Sequence, residues 1–136
     1  MRFCLDSWPV LCWLDGEEPA ATAVEEALAR ERPAMSWVNL VEVYYRLARD
    51  HGKREAEGVL AELRPRIAED LPGVVAMRAT ADLKADFAMS LADCFAVALA
   101  AETDAVLLTG DPEIVDLAEK LPCKLRDLRA ETGGAR

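Results

Sequence analysis

The sequence is poor in residues that bind soft metals or form a disulfide framework. Its single histidine is His51, and its four cysteines, Cys4, Cys12, Cys94 and Cys123, include no C-x-x-C pair. Because no cysteine lies near the histidine in sequence, a zinc site is disfavoured. We interpret the cysteines as free thiols of a protein in a reducing cytoplasm.

Long apolar runs are also missing. Residues 1–14 are interrupted by Arg2, Asp6 and Pro9, and no run approaches the ~20 residues that a membrane helix needs. We therefore expect a soluble cytoplasmic protein with no membrane segment and no secretion signal.

The 136 residues, 52% of them hydrophobic, suffice for one domain and are too few for two. We expect that domain over residues 1–128 and a disordered tail over residues 129–136.

Basic residues are in the minority, since 16 Lys and Arg face 25 Asp and Glu and the net charge is -9. This balance argues against nucleic acid, because phosphate binding depends on Lys and Arg. Two observations weaken the objection. Acidic residues that hold a metal are offset by it, and basic residues cluster at Arg46, Arg49, His51, Lys53 and Arg54. A basic patch that contacts RNA and a solvated helix end both remain open for this cluster.

Short apolar runs alternate with longer helical patterns along the chain. The strands are predicted at residues 3–6, 33–36, 66–69, 105–109 and 123–125. The helices are predicted from Ser7, from a capping box at Thr22, from Ser36 to near Gly52, and over residues 53–64, 71–84, 90–102 and 112–120. This alternation predicts an α/β protein, a three-layer α/β/α sandwich with a mostly parallel central sheet. Ligand sites of such sheets lie beyond the carboxyl ends of the strands.

The segment from residue 66 to residue 84 allows two interpretations. In the first, a strand at 66–69 precedes a helix from Leu71 to Lys84, with Asp70 as its cap and Pro72 in its first turn. In the second, Gly73–Met77 is itself the strand. We favour the first.

Four carboxylates lie within unusually apolar stretches of the sequence. Asp6 is the only charge from Phe3 to Leu14, and Asp93 is the only charge from residue 88 to residue 101. Glu42 lies within VNLVEVYY, and Asp111 follows the predicted strand and turn AVLLTG. On the predicted fold, two of these acids leave strand ends and two lie on helices, so that all four can meet at one rim.

Each acid alone has an ordinary explanation. Asp6 is placed to cap the next helix, and Asp93 completes an S-x-x-D pattern with Ser90. An aspartate before a proline, such as Asp111, commonly initiates a turn, and Glu42 can lie on a solvent-exposed face of its helix. Together, these explanations do not account for the shared rim of all four acids or for the lack of a basic neighbour in the run around three of them.

Clustered carboxylates repel one another, which raises their pKa values unless a cation holds them ionised. Mg²⁺ or Mn²⁺ suits them best, because hard divalent ions take oxygen ligands. Magnesium keeps several of its waters, which leaves positions for a phosphate and an attacking water. The acidic rim therefore predicts a metal site without histidine.

Four segments together resemble the PIN-domain nucleases, and most closely the VapC toxins of toxin–antitoxin pairs. They are CLDS at Cys4, VNLVEVYYR around Glu42, MSLADCFAVALA around Asp93 and LLTGDPE around Asp111. The resemblance spans nearly the whole chain. It implies a small α/β/α fold, binding of Mg²⁺ or Mn²⁺ by Asp6, Glu42, Asp93 and Asp111, and cleavage of RNA to a 3′-hydroxyl and a 5′-phosphate.

The resemblance also assigns supporting roles. Ser7 and Thr109 match hydroxyl positions beside the first and last acids, and Asn39 takes the polar position a turn before Glu42; local capping is the alternative for all three. A toxin further implies a homodimer and a tight antitoxin partner. Candidates for RNA contact are Arg46, Arg49, Lys53 and Arg54. The competing interpretation is a catalytically silent PIN fold that serves as an interaction module.

Overall fold

Five short strands form one parallel sheet in the computed structural model, which describes residues 2–129. The strands are β1 (Phe3–Leu5), β2 (Ala34–Ser36), β3 (Ala68–Asp70), β4 (Val106–Thr109) and β5 (Lys124–Asp127). Their order across the sheet is β3-β2-β1-β4-β5, and every neighbouring pair is parallel. The carboxyl ends of β1 and β4 therefore lie side by side near the middle of the sheet.

Helices connect the strands and cover the sheet. They are α1 (Ser7–Asp15), α2 (Ala20–Arg30), α3 (Trp37–His51), α4 (Lys53–Leu63), α5 (Val74–Asp86), α6 (Leu91–Thr103) and α7 (Pro112–Val115). Two short 3-10 helices lie at Arg64–Arg66 and Ala118–Lys120. Within residues 2–129, no helix combines the length and apolar character needed to cross a membrane.

Both faces of the sheet are buried. Leu5 and Leu108 belong to an apolar cluster with side chains of α1, α2 and α3, whereas their neighbours Cys4 and Leu107 belong to a second cluster with α5 and α6. Successive strand residues point to opposite faces, so central strands buried on both sides must be apolar throughout. The predicted three-layer α/β/α sandwich is confirmed.

The favoured interpretation of residues 66–84 is confirmed, because a strand precedes a helix in this segment. The helix, however, begins three residues later than predicted. Asp70 cannot cap it, because Asp70 is the last residue of β3 and is in register with Ser36 of β2. Leu71 precedes a proline, which disfavours helical backbone at that position. The helix starts after Gly73, whose backbone is extended.

The predicted capping box at Thr22 is wrong. Helix α2 begins two residues earlier, at Ala20. The backbone N–H and hydroxyl of Thr22 both donate to the carboxylate of Glu18, at 2.8 and 2.6 Å. Glu18 thus accepts the Thr22 N–H that a capping box would have assigned to the side chain of Glu25.

The end of the chain differs from its predicted elements in detail. Helix α7 ends at Val115 instead of near residue 120, and the 3-10 helix follows it. Arg129, the first residue of the predicted tail, donates its backbone N–H to Asp127 at 2.9 Å. The remainder of that tail, residues 130–136, lies outside the described residues.

Candidate active site

Three of the four predicted acids meet at the carboxyl edge of the sheet. Asp6 follows β1, Asp111 follows β4, and Asp93 lies in the first turn of α6. One carboxylate oxygen from each lies within 4.8 Å of the others. The parallel pairing of Leu5 with Leu108 brings the first two together, because it aligns the ends of their strands. We call these three side chains the aspartate cluster.

Glu42 lies beside the aspartate cluster and is not one of its members. It is half-buried on α3, and its Oε1 accepts a hydrogen bond from the hydroxyl of Ser7. Ser7 directly follows Asp6, so this bond ties α3 to the start of α1. The charge of Glu42 contributes to raising the pKa of Asp6, which is consistent with its place next to the cluster.

Thr109 joins two members of the cluster through one hydroxyl group. It is fully buried, and its Oγ1 donates to Oδ2 of Asp6 at 2.8 Å. The same oxygen accepts the backbone N–H of Asp111 at 3.0 Å. A threonine hydroxyl is both a donor and an acceptor, so it can bind a carboxylate and an amide at once. The predicted hydroxyl position beside the last acid therefore contacts the first acid as well.

Asn39 links α3 to the helix that carries Asp93. Its side chain is fully buried, and Nδ2 donates to the carbonyl of Ala92 at 3.2 Å. Ser90 caps the same helix, since its hydroxyl accepts the backbone N–H of Asp93 at 3.1 Å. The serine half of the S-x-x-D pattern is therefore formed, whereas the Ser90 N–H donates to Glu113 instead of to Asp93. The Asp93 carboxylate belongs to the aspartate cluster.

Two buried carboxylate oxygens of the cluster lack a hydrogen-bond partner among the described residues. They are Oδ1 of Asp6 and Oδ2 of Asp93. Buried polar atoms are almost always paired, so such atoms call for an explanation. A set of carboxylate oxygens with free lone pairs suits a hard divalent cation. The residues present therefore fit Mg²⁺ or Mn²⁺.

Burial and mutual repulsion change the acidity of the cluster. Burial raises the pKa of Asp6 to about 7, and the charges of Asp111 and Glu42 add to the effect, while the hydrogen bond from Thr109 opposes it. Burial also raises the pKa of Asp93, with further contributions from the charges of Asp6 and Asp111. Without a cation, Asp6 and Asp93 therefore tend to hold protons near neutral pH.

Glu113 is a site residue that was not among the residues predicted from sequence. Its Oε1 accepts the backbone N–H of Ser90 at 2.8 Å, and its own N–H donates to Oδ1 of Asp111 at 2.9 Å. It therefore joins the start of α6 to the turn after β4. The available signal was an acidic residue in the first turn of a helix that begins with a proline.

The four predicted RNA-contact residues lie at the junction of α3 and α4. Arg46 is one turn beyond Glu42 on α3, and Lys53 and Arg54 begin α4. All four are exposed. The guanidinium of Arg49 donates to Asp50 at 2.9 Å and stacks on the Tyr45 ring at 5.3 Å, so this side chain is already engaged.

Comparison with a family model gives a match over most of the chain. The model is described as PIN domain and matches residues 3–120. No curated protein matches the chain by sequence.

Solved structures share the fold at low sequence identity. VapBC2 from Rickettsia felis, bound to a DNA fragment from its promoter, is 15% identical, with a TM-score of 0.74, covering 93% of this chain and 98% of that one. DNA-bound VapBC from Salmonella typhimurium is 16% identical, with a TM-score of 0.73, covering 94% and 98%. VapC20 from Mycobacterium tuberculosis, a sarcin–ricin loop cleaving toxin, is 14% identical, with a TM-score of 0.64, covering 81% and 92%.

Proposed function

The chain belongs to the PIN domain family, and from this premise we propose that it is a metal-dependent endoribonuclease, the toxin of a cytoplasmic toxin–antitoxin pair. The observation that carries the proposal is the aspartate cluster, in which one carboxylate oxygen from each residue lies within 4.8 Å of the others at the carboxyl edge of the sheet. Two of its buried oxygens lack hydrogen-bond partners among the described residues. Ligands of parallel α/β sheets bind at this edge.

Asp6, Asp93 and Asp111 would hold Mg²⁺ or Mn²⁺. When bound, such an ion supplies an activated water at neutral pH and neutralises charge that develops on the phosphodiester. The carboxylates must be ionised to bind it, so Asp6 and Asp93 release the protons that burial favours. Hydrolysis leaves a 3′-hydroxyl and a 5′-phosphate.

Glu42 is assigned a different role from the three aspartates. It lies beside the aspartate cluster, and the Ser7 hydroxyl fixes its position. A half-buried carboxylate held in this way can orient the attacking water and accept its proton. The prediction that Glu42 is itself a metal ligand stays a prediction.

RNA is the proposed substrate, and an antitoxin is the proposed partner. VapC20 is described as a toxin that cleaves the sarcin–ricin loop, and the VapBC structures are toxin–antitoxin complexes. We propose both properties for this chain because it shares the fold of these proteins and belongs to the PIN domain family. Exposed Arg46, Lys53 and Arg54 are candidates for phosphate contact.

A homodimer is part of the proposal. Trp37, Val41 and Tyr45 recur every four residues on α3, and each is between 42% and 59% exposed. This spacing forms one apolar stripe along the helix. A second copy that covers the stripe would remove it from water.

Manganese binding separates the nuclease from a silent interaction module. We expect calorimetry to detect Mn²⁺ binding by the wild type, and RNA cleavage to depend on that metal. Asp6→Asn should lose both properties, whereas Asp82→Asn, at an exposed acid of α5, should keep both. Absence of heat with the wild type would favour the silent module.

Expression in cells that lack the antitoxin gives a second test. We expect the wild type to arrest growth and fragment RNA, and Asp6→Asn to do neither. Equal growth of both cultures with intact RNA would contradict the assignment as a toxin.

A further inference from the structure

An indole ring occupies the space where a side chain at residue 110 would lie. A Cβ atom built on Gly110 would come no farther than 2.7 Å from three atoms of the outer ring of Trp8, namely Cη2, Cζ3 and Cζ2. Carbon atoms that are not bonded prefer about 3.5 to 4.0 Å. Trp8 therefore packs directly against the backbone of Gly110.

This close approach, and not the backbone conformation, explains why residue 110 is a glycine. The described glycines with positive φ are Gly16 and Gly52, and Gly110 is not among them. Other residues could adopt the backbone of Gly110 without strain. Its lack of a side chain matters because Trp8 fills that space.

Both partners of the contact belong to segments that build the aspartate cluster. Trp8 lies two residues after Asp6, in the first turn of α1, and Gly110 is the single residue between Thr109 and Asp111. The ring is half-buried and packs against the apolar cluster that contains Leu5. Swinging it into solvent would give up that packing, so the ring is not free to move aside.

The turn that carries Asp111 is consequently held in two ways. The hydroxyl of Thr109 accepts the backbone N–H of Asp111 at 3.0 Å. The indole of Trp8 packs against the residue between them. A hydrogen bond alone fixes one donor and one acceptor, whereas the added ring contact limits how far the turn can shift as a whole.

We propose that Trp8 is a positioning residue for Asp111, and that its contact with Gly110 sets the geometry of the aspartate cluster. This inference rests on the proposed metal-dependent function and adds a residue outside the acids and their hydrogen-bond partners. The indole acts through the backbone of Gly110 and needs no contact with the metal or the RNA.

A size exchange between the two residues tests the proposal. Phenylalanine at position 8 keeps an aromatic ring near the backbone and lacks the outer ring that blocks residue 110. We expect Gly110→Ala alone to weaken Mn²⁺ affinity by about tenfold or more, as loss of supporting contacts at metal sites typically does. In a Trp8→Phe background, the same alanine should weaken Mn²⁺ affinity by less than about threefold, because the effects of substitutions at two contacting residues are not additive.

Matched controls are available elsewhere in the chain. Gly58→Ala adds the same methyl group to a helical glycine of α4 with open space around it. Trp13→Phe makes the same aromatic exchange at another half-buried tryptophan of α1. Both should bind Mn²⁺ like the wild type.

A second readout uses metal-free protein. In the presence of a chelator, the effects of Gly110→Ala and Trp8→Phe on the free energy of unfolding should be non-additive, with the double variant more stable than their sum predicts. If Trp8→Phe does not fold, Trp8→Leu replaces it.

The outcomes separate this inference from the proposed function. Unchanged Mn²⁺ affinity in Gly110→Ala would overturn the role of Trp8 and leave the nuclease proposal intact. Additive effects in the metal-free protein would also overturn it. A wild type that binds no Mn²⁺ would contradict the proposed function itself and, with it, the role of Trp8.

Discussion

At the scale of single residues, Asp6 lies in surroundings that disfavour its ionised form in the metal-free protein. It is fully buried, one of its oxygens accepts from Thr109, and the other has no partner among the described residues. Its pKa is raised from an ordinary value of 3.8 to about 7. The folded protein therefore binds this proton more tightly than the unfolded chain does.

The first prediction concerns pH. Between the ordinary pKa of Asp6 and its raised pKa, the unfolded chain has released the proton and the folded protein has kept it. The contribution of Asp6 to the free energy of unfolding therefore falls as pH rises and levels off above pH 7. In Asp6→Asn, the loss of stability between pH 5 and pH 8 should be smaller by about 2 to 3 kcal/mol. Urea unfolding in the presence of a chelator measures it.

The control for this prediction is Asp82→Asn, which removes an exposed acid and should keep the wild-type pH profile. Identical profiles for Asp6→Asn and the wild type would mean that Asp6 does not titrate in the expected range.

The second prediction concerns the shared hydroxyl of Thr109. Thr109→Val keeps the shape of the side chain and removes the bonds to Asp6 and Asp111. We expect a loss of about 1 to 3 kcal/mol in the free energy of unfolding and of roughly 10- to 100-fold in Mn²⁺ affinity.

Thr109→Ser is the matched variant for this test, because it keeps the hydroxyl and loses a methyl group. Calorimetry should find Mn²⁺ affinity close to that of the wild type. Equal losses in the serine and valine variants would assign the effect to packing and not to the hydroxyl.

At the scale of elements, the start of α6 depends on a residue from another segment. Glu113 accepts the backbone N–H of Ser90 and donates its own N–H to Asp111. It thereby fixes the helix that carries Asp93 relative to the turn that carries Asp111.

The third prediction compares two substitutions of Glu113. Glu113→Gln keeps an acceptor for Ser90, and Glu113→Ala does not, while both remove the charge. The alanine variant should be less stable than the glutamine variant by about 0.5 to 1.5 kcal/mol and should bind Mn²⁺ more weakly. Equal behaviour of the two in unfolding and calorimetry would leave no role for the hydrogen bond.

Local sequence patterns predicted most elements because the relevant signals are local. The apolar runs at β1 and β4 and the caps Ser36 and Ser90 each lie within a few residues of the element they define. The capping box at Thr22 failed because Glu18, outside the pattern, accepts its donors.

The site was predictable where chemistry is carried by residue type, and not where it depends on distant contacts. Asp6, Asp93 and Asp111 stand out because a charge in an apolar run is unusual, and the structure brings them together. Trp8 and Gly110 are about a hundred residues apart in sequence, so no local pattern reveals their contact.

At the scale of the whole molecule, a net charge of -9 destabilises the compact state through self-repulsion. A bound divalent cation reduces that repulsion, so cation binding and folding support each other. A ligand that binds only the folded state stabilises it by mass action. The fourth prediction follows for the melting temperature, which Mn²⁺ should raise and a chelator should lower.

At free Mn²⁺ about 100-fold above its Kd, stabilisation should reach about 2.7 kcal/mol, or roughly 10 °C for a chain of this size. Differential scanning calorimetry measures it. Asp6→Asn should show little of this shift. A rise of the same size in that variant would place the metal elsewhere on the molecule.

The fifth prediction concerns assembly through the apolar stripe of Trp37, Val41 and Tyr45. Val41 lies in the middle of the stripe and is 59% exposed in the monomer. Val41→Glu would place a charge at the centre of the proposed contact between copies, where leaving it unpaired is costly. Sedimentation equilibrium should therefore find a dimeric wild type and a monomeric variant, while Ala29→Glu, at an exposed position on α2, stays dimeric. A dimer that survives Val41→Glu would exclude the stripe as its interface. A monomeric wild type would contradict the proposed homodimer, because the stripe would then remain in water.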